Sequence, residues 1–253
     1  HLVMEYVQGT TLKAYCKADA LLPLEQVVEL GFKCAMALGY CYRQGLIHRD
    51  VKPANIMAVV REGRVVDVKI TDFGSVFQMD AEATQIHRVG SLSYMSPEQL
   101  DGSTLDARAD MYSLATVLYH MLSGRTPFDG QTQGALMNQI FNEEPPQLIS
   151  LRDGIPQRLN DVIMRALAKA PNARYPDWDS FAQALAQVIS QRDLPTATTQ
   201  GVLDSERFTL LRELEFFAGF GDVELWEVVH RARWQRHGFG ESLFKKGSQG
   251  NNF

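Results

Sequence analysis

A polar segment between a helix and a β-hairpin constrains the fold more than any other feature of the chain. Residues 48–55 read HRDVKPAN. Before them, apolar residues recur close to every 3.6 positions, which predicts an amphipathic helix between Pro23 and Gly45. After them, residues 56–60 and 66–71 are rich in β-branched side chains and predict two strands joined by a short glycine-containing turn. The polar segment is therefore expected to be held between two regular elements.

The remainder of the chain is predicted to be mainly helical. Helices are expected over residues 106–123, 134–141, 156–169, 177–190, 205–217 and 222–233. Residues 74–104 show no periodicity and predict a long loop, which in a compact domain is usually functional. Residues 194–204 have a centre without periodicity or aromatic residues and predict a linker. Short strand-like pieces separated by glycines follow the last helix.

Residues 48–56 and the triplet Asp72-Phe73-Gly74 resemble the catalytic loop and the metal loop of eukaryotic-type (Hanks-type) serine/threonine protein kinases. The resemblance implies an α+β fold that is mainly helical. It would be a protein-kinase C-terminal lobe with a small β-hairpin, followed by the start of a second domain whose helices lead into a β-roll. It also implies ATP and Mg²⁺ as cofactors, and structural roles for His48, Phe73 and Gly74 within the two motifs.

Four side chains of these motifs suit the chemistry of phosphoryl transfer. Asp50 supplies a carboxylate that accepts or orients the proton of a substrate hydroxyl. Lys52, two residues further along an extended segment, lies on the same side and reaches the transferring phosphate. Asn55 and Asp72 offer oxygen ligands suited to Mg²⁺, and the hairpin between them returns the chain so that they meet.

The segment of residues 90–98 resembles the protein-substrate docking segment of the same kinases. The usual pattern has threonine where Ser91 stands and alanine where Ser96 stands. Ser91 keeps a hydroxyl that could bridge Asp50 and Lys52, which fits transfer to serine or threonine.

The resemblance implies two further long-range contacts. Glu98 should form a buried pair with Arg174, and Asp110 should hold the backbone of the catalytic loop from a long buried helix. Each prediction has a plainer alternative. The pair could be exposed and contribute about 0–1 kcal/mol, and Asp110 could act only as a partner of the helix dipole.

The first residues of the chain resemble the hinge strand that holds adenine in protein kinases. In that interpretation Met4 is the gatekeeper, and the backbone groups of Glu5 and Val7 contact the base. Met57 then forms the floor of the nucleotide pocket. Without the motifs that follow, this stretch is only a short apolar strand.

Arg49, directly before Asp50, predicts control by phosphorylation of the long loop at residues 74–104. A phosphate adds about −1.5 to −2 charges, and Arg49 is placed to pair with it. Thr84 is the preferred acceptor and Ser93 a less favoured one, because Ser93 falls in the docking segment. The alternative is that Thr84 is an ordinary polar loop residue.

The glycine-rich phosphate loop, the strand lysine and the helix glutamate of the family would all precede His1, and the chain contains none of them. We therefore expect a fragment that does not turn over ATP on its own. The alternatives are a pseudokinase or scaffold, and a small-molecule phosphotransferase of the aminoglycoside or choline type. Lys52-Pro53 and the docking segment disfavour the small-molecule enzyme, and Lys52 also disfavours tyrosine specificity.

The net charge limits the kinds of partner that the protein can bind, and the cysteine count indicates its cellular compartment. The formal net charge is −5, from 25 basic and 30 acidic residues, which argues against a nucleic-acid or anionic-membrane surface. Cys16, Cys34 and Cys41 have no metal-binding spacing. Their odd and sparse count suits a reducing compartment without a disulfide framework, which predicts a cytoplasmic location. The longest apolar run, residues 111–122, is too short to span a bilayer.

Residues 205–253 resemble the start of a cyclic-nucleotide-binding domain of the catabolite-activator type. The resemblance lies in two helices that lead into glycine-punctuated strands, and the phosphate-binding cassette of that family is missing. The expected division is a kinase domain at 1–193, a linker at 194–204 and this partial domain at 205–253. The partners expected are protein substrates and a cyclic nucleotide effector. The alternative for the tail is an amphipathic dimerisation or packing module.

Overall fold

The computed structural model describes residues 6–61, 64–72, 77–78, 92–191, 194 and 202–235. Its helices are α1 Leu24–Arg43, α2 Pro97–Leu100, α3 Ala107–Ser123, α4 Gln133–Asn142, α5 Gln157–Ala166, α6 Trp178–Ser190, α7 Asp204–Glu213 and α8 Asp222–Arg231. Its strands are β1 Gly9–Thr11, β2 Leu46–Ile47, β3 Ile56–Arg61, β4 Arg64–Ile70 and β5 Phe77–Gln78. No helix of the described residues is long and apolar enough to cross a membrane.

Helices α1 and α3 form the centre of the core, and both end where the sequence predicts. The backbone of Gly45 after α1 and of Gly124 after α3 is left-handed, with φ of 77° at both, a conformation that glycine adopts without strain. At the start of α3 the carboxylate of Asp106 accepts the amide hydrogen of Arg108 at 2.8 Å. The two helices pack so closely that a Cβ on Gly31 would lie 2.8 Å from a methyl carbon of Leu118. A larger residue at position 31 would therefore force the Leu118 side chain to move where α1 packs against α3.

The predicted hairpin is the larger part of a three-stranded antiparallel sheet with the order β1-β3-β4. The first strand pairs Gly9 with Val59. The sequence predicted β3 and β4 but not β1, because three residues without alternating polarity carry no strand signal. The β3–β4 ladder shifts register at one place: Asp67 pairs with Val59 and Val65 pairs with Val60. Val66 is therefore an extra residue on β4, and the ladder has a β-bulge there.

The predicted loop of residues 74–104 contains a short helix that the sequence prediction missed. Helix α2 begins after Ser96, whose side chain accepts the amide hydrogen of Gln99 while Gln99 accepts the amide hydrogen of Ser96. This reciprocal capping box fixes one helical turn. A four-residue helix shows no hydrophobic period, so only the Ser-Pro-Glu-Gln pattern could have revealed it.

The two helices of the tail lie against the lobe rather than apart from it. Phe208 and Leu211 of α7, and Leu225 and Val229 of α8, are buried in the same apolar cluster as α1 and α6. Helix α7 ends at Glu213 and a separate 3₁₀ turn follows, whereas the sequence predicted one helix to residue 217. The predicted linker at 195–201 and the strand-like pieces from residue 236 lie outside the described residues.

Candidate active site

Asp110 of α3 organises the polar segment between α1 and β3. Its side chain is nearly buried, with the residue 4% exposed. One carboxylate oxygen accepts the amide hydrogen of His48 at 2.7 Å and the other accepts that of Arg49 at 2.8 Å. Burial raises the pKa of the Asp110 carboxyl, while the positive charge of Arg49 and the two N–H donors favour the ionised form. Arg49 is held at φ 65°, a left-handed conformation that a non-glycine residue adopts only under such constraint.

His48 connects this segment to the end of β4. Its Nδ1 accepts the amide hydrogen of Asp50 at 3.3 Å, and its Nε2 lies 2.9 Å from the carbonyl oxygen of Thr71. Because Nδ1 accepts and a carbonyl oxygen can only accept, the arrangement corresponds to the neutral tautomer with its proton on Nε2. The ring is buried, and its two contacts connect the polar segment at Asp50 with the end of the hairpin at Thr71.

Asp50, Lys52 and Asn55 form a compact polar cluster. The Lys52 ammonium nitrogen lies 2.6 Å from Asp50 Oδ2. The amide nitrogen of Asn55 donates to the same Oδ2 and to the Asp50 carbonyl oxygen, both at 2.9 Å. Asp50 and Lys52 are partly exposed, whereas Asn55 is buried. A reactant can therefore approach the carboxylate and the ammonium from solvent, while the buried Asn55 side chain holds the carboxylate.

The hairpin brings Asp72 to this cluster through backbone bonds. The Thr71 amide donates to the Asn55 carbonyl oxygen at 2.8 Å, and the Thr71 hydroxyl donates to the same oxygen at 3.2 Å. Asp72 follows with φ 60° and an exposed side chain. Asp72, 17 positions after Asn55, therefore directly follows the residue that is bonded to Asn55. That the two side chains meet at a metal ion stays a prediction.

The same two residues fit a magnesium ion by their chemistry. The Asn55 amide nitrogen is committed to Asp50, so its polar atom left for a cation is the carbonyl oxygen Oδ1. Asp72 offers a carboxylate that solvent reaches. A neutral and a charged oxygen beside water suit Mg²⁺, which keeps several water ligands. These residues would hold the ion.

Glu98 and Arg174 form the predicted pair, and it is buried. The guanidinium lies 2.5 Å and 2.9 Å from the two carboxylate oxygens, and Arg174 is 2% exposed. The same guanidinium also donates to the carbonyl oxygens of Ala168, Arg108 and Lys169. The alternative of an exposed pair does not hold, because every guanidinium nitrogen has an acceptor inside the protein.

The segment predicted to dock a protein substrate is held by two contacts that the sequence analysis missed. The Gln99 side-chain amide donates to the Arg49 carbonyl oxygen at 2.9 Å. The Tyr94 hydroxyl lies 2.8 Å from Nδ1 of His120 in α3. The capping box could have singled out Gln99, but nothing in the sequence connects Tyr94 with His120, 26 positions away.

Several predicted site residues lie outside the described residues: Met4, Glu5, Phe73, Gly74, Thr84 and Ser91. Of the predicted nucleotide contacts, Val7 is half-buried and precedes β1. Met57 is half-buried on β3, where it pairs with Thr11 of β1. Both therefore lie close to the same short strand.

The buried thiols take no part in this site. Burial raises the pKa of both Cys16 and Cys34 to about 12. A thiol with such a pKa stays protonated and unreactive at neutral pH. These two cysteines are core residues.

Asp110→Asn is expected to lower the free energy of unfolding by about 1–3 kcal/mol. The new NH₂ group would face an amide N–H of the loop, so one buried donor loses its acceptor. Amide exchange at His48 and Arg49 should accelerate in the same variant. The matched control is Asp101→Asn, because the exposed Asp101 also accepts an amide hydrogen, from Ser103 at 2.9 Å, and should tolerate the change. Equal stability of the two variants would contradict the anchoring role.

The comparisons with known proteins agree with this geometry. The family model for the protein kinase domain matches residues 1–188. The chain belongs to the protein kinase domain family. The predicted kinase resemblance and the mainly helical kinase fold are thus confirmed.

Two of the curated proteins that this chain resembles come from bacteria. The chain is 39% identical over 214 residues to the probable serine/threonine-protein kinase CPE1738 of Clostridium perfringens, covering 83% of this chain and 30% of that protein. It is 36% identical over 215 residues to the serine/threonine-protein kinase PknB of Mycobacterium leprae, covering 83% and 33%. The chain therefore spans about a third of the length of these relatives.

A solved structure shares the kinase fold. It contains the Rad53 kinase domain and SCD2 in complex with AMPPNP. The likeness has a TM-score of 0.60 at 26% identity and covers 79% of this chain and 71% of that one. The lobe around the polar cluster is thus that of a protein kinase.

Proposed function

We propose that the protein containing this chain is a serine/threonine protein kinase that uses ATP and Mg²⁺. The observation that carries the proposal is the cluster of Asp50, Lys52 and Asn55, with Asp72 joined to it through Thr71. Phosphoryl transfer relies on positioning and on charge stabilisation. A carboxylate, an ammonium and two oxygen ligands at one partly exposed point supply both.

Each side chain has a definite role in this proposal. Asp50 accepts a hydrogen bond from the substrate hydroxyl and orients its oxygen for attack. Lys52 places positive charge beside the transferring phosphate oxygens. Asn55 and Asp72 hold Mg²⁺, which when bound neutralises charge on the nucleotide phosphates. Ser91 is proposed to bridge Asp50 and Lys52.

The docking segment supports a protein as the acceptor of the phosphate. Gln99 ties this segment to the catalytic loop, and the Glu98–Arg174 pair fixes its end in the core. A rigid platform beside the reacting hydroxyl suits an extended polypeptide. A small-molecule phosphotransferase has no need of it.

The nucleotide is proposed to lie beside the first strand. Met4, Glu5 and Val7 would contact adenine, and Met57 would form the floor below it. The position of Val7 and Met57 around β1 supports this arrangement. The other two residues remain predictions from the resemblance.

Two forms of regulation belong to the same proposal. A phosphate on Thr84 would pair with Arg49, whose backbone Asp110 already holds in place. Residues 205–253 would begin a cyclic-nucleotide-binding domain, with cAMP or cGMP as effector. The domain division at 194–204 and the cytoplasmic location also remain predictions.

The test is transfer of labelled phosphate from ATP by the full-length protein to a serine- and threonine-containing protein substrate. Wild-type protein should form phosphoserine or phosphothreonine, and Asp72→Asn should lose at least about 100-fold in rate because the metal loses its charged ligand. The control is Asp153→Asn, a change at an exposed turn carboxylate. Product found only on tyrosine, or only on small molecules, would overturn the proposal.

The same preparations test the regulatory part. Peptide mapping of active enzyme should find phosphate on Thr84, and an unmodified Thr84 removes that acceptor from the proposal. Parallel reactions with cAMP and with cGMP should change the rate. An unchanged rate with both would leave the tail as a packing module.

A further inference from the structure

The tail helices cover the outer face of α1 through a shared aromatic contact. Phe32 of α1, Phe208 of α7 and Trp226 of α8 meet edge to face, with ring centroids 5.5–5.9 Å apart. Phe32 and Phe208 are both buried. Edge-to-face contacts add to the stabilisation that comes from burial. The segment of residues 202–235, which we call the clasp, therefore belongs to the packed body of the lobe.

Beside this aromatic contact, the clasp completes a buried charge network on α1. Lys33 is only 4% exposed. Its ammonium nitrogen lies 2.9 Å from a carboxylate oxygen of Asp204, the first residue of α7. The other carboxylates near it, on Glu29 and Asp67, are 4.0 Å and 3.9 Å away. The clasp thus supplies the closest anion to a charge that burial would otherwise penalise.

Glu29 fastens the start of α7 to the same network. Both its carboxylate oxygens accept hydrogen bonds from Ser205, one from the backbone amide at 3.2 Å and one from the hydroxyl. Burial raises the pKa of Glu29, and Lys33 opposes that effect. A carboxylate at the first turn of α7 also suits the positive end of the helix dipole.

The Lys33 ammonium group also contacts the β3–β4 hairpin. Lys33 donates to the carbonyl oxygen of Val66 at 2.7 Å. Val66 is the bulged residue of β4, without a partner in the ladder with β3. Strand β4 is also the edge of the three-stranded sheet. Lys33 therefore binds the carbonyl oxygen of the bulged residue in this edge strand, a residue that has no partner on β3.

A second contact fastens the clasp to the far end of α1. Asp222 at the start of α8 lies 3.0 Å from Arg43 at the end of α1 and 3.1 Å from Arg212 of α7. Asp222 is partly buried, whereas both arginines are exposed by about half. The clasp is thus fixed near the middle of α1 and at its end.

We propose that the clasp positions β4, and with it the loop that carries Asp72, by keeping Lys33 on the Val66 carbonyl. If Asp204 withdraws, the ammonium retains only carboxylates about 4 Å away and gains access to water, so its bond to Val66 weakens. Strand β4 continues from Val66 to Ile70, and the next residue, Thr71, is bonded to Asn55. Lys33 and Asp204 are therefore positioning residues. Their effect on catalysis rests on the kinase function proposed above.

Hydrogen exchange on the full-length protein tests the structural link without depending on activity. Asp204→Asn should accelerate amide exchange in β4, residues 64–70, by about tenfold, because local opening of the strand becomes easier. Asp222→Asn, which touches neither Lys33 nor β4, should accelerate the same amides by loosening the clasp from its other end. The matched control is Asp179→Asn, which removes a carboxylate that pairs with Arg43 from α6 at 3.4 Å and should leave β4 unchanged.

An activity arm separates this inference from the proposed function. In a protein that transfers phosphate, Asp204→Asn should raise the Mg²⁺ concentration needed for half-maximal rate several-fold, because the loop of Asp72 is held less well. A wild-type protein without kinase activity would refute the proposed function, while faster exchange in β4 would still support the clasp. Faster exchange in α7 with β4 unchanged in both clasp variants would overturn the inference.

Discussion

Asp50→Asn is expected to lower kcat for phosphate transfer by about 10²–10⁴-fold, the range typical for a residue that handles a proton. An amide of the same shape cannot take a proton from the substrate hydroxyl. It also removes the negative charge that holds the Lys52 ammonium at 2.6 Å. The measurement is steady-state transfer from ATP by the full-length protein at saturating Mg²⁺.

Folding should be almost unaffected by this change, which separates chemistry from stability. Asp50 is partly exposed, and Asn55 still donates to its backbone carbonyl oxygen in the variant. An ion pair as exposed as Asp50–Lys52 contributes about 0–1 kcal/mol to the free energy of unfolding. Wild-type kcat in a folded Asp50→Asn protein would remove Asp50 from the mechanism.

Arg174→Met is expected to lower the free energy of unfolding by about 3–5 kcal/mol, the largest effect on stability anticipated in the lobe. The change leaves the Glu98 carboxylate buried without its counter-charge. It also removes the donors to the carbonyl oxygens of Ala168, Arg108 and Lys169. Urea unfolding followed by circular dichroism gives the loss directly.

The double variant with Glu98→Met distinguishes a buried pair from lost packing. Removing both charges should recover part of the loss, because no uncompensated carboxylate remains. The control is Arg231→Met, since Arg231 pairs with Glu227 on the surface with side chains 81% and 56% exposed and should change stability by no more than about 1 kcal/mol. Similar losses for Arg174→Met and Arg231→Met would contradict the structural role of the buried pair.

Local signals in the sequence predicted the regular elements well. Helix α1 follows the apolar period, and α3 follows its Asp106 cap and its Gly124 stop, because these signals lie within a few residues of the structure they determine. Strand β1 and helix α2 were missed because they are short. The predicted helix at 156–169 ends at Ala166, where no glycine or proline marks the boundary.

Long-range contacts divide into those that a family motif indicates and those that it does not. The contacts of Asp110 and the Glu98–Arg174 pair were expected only from the resemblance, since spacing alone does not bring such distant residues together. The bond from Lys33 to Val66 could not be expected. It depends on a register shift in the hairpin and on a tail helix more than 170 positions from Lys33.

The left-handed backbones at Arg49 and Asp72 have a consequence for variation at the site. An ordinary side chain in this conformation costs about 1 kcal/mol or more relative to glycine. The chain nevertheless places charged residues there, with φ of 65° and 60°. Replacing either residue by glycine would relieve the main chain but would also remove the charge. Selection for a higher free energy of unfolding and selection for a higher catalytic rate therefore favour different amino acids at these two positions.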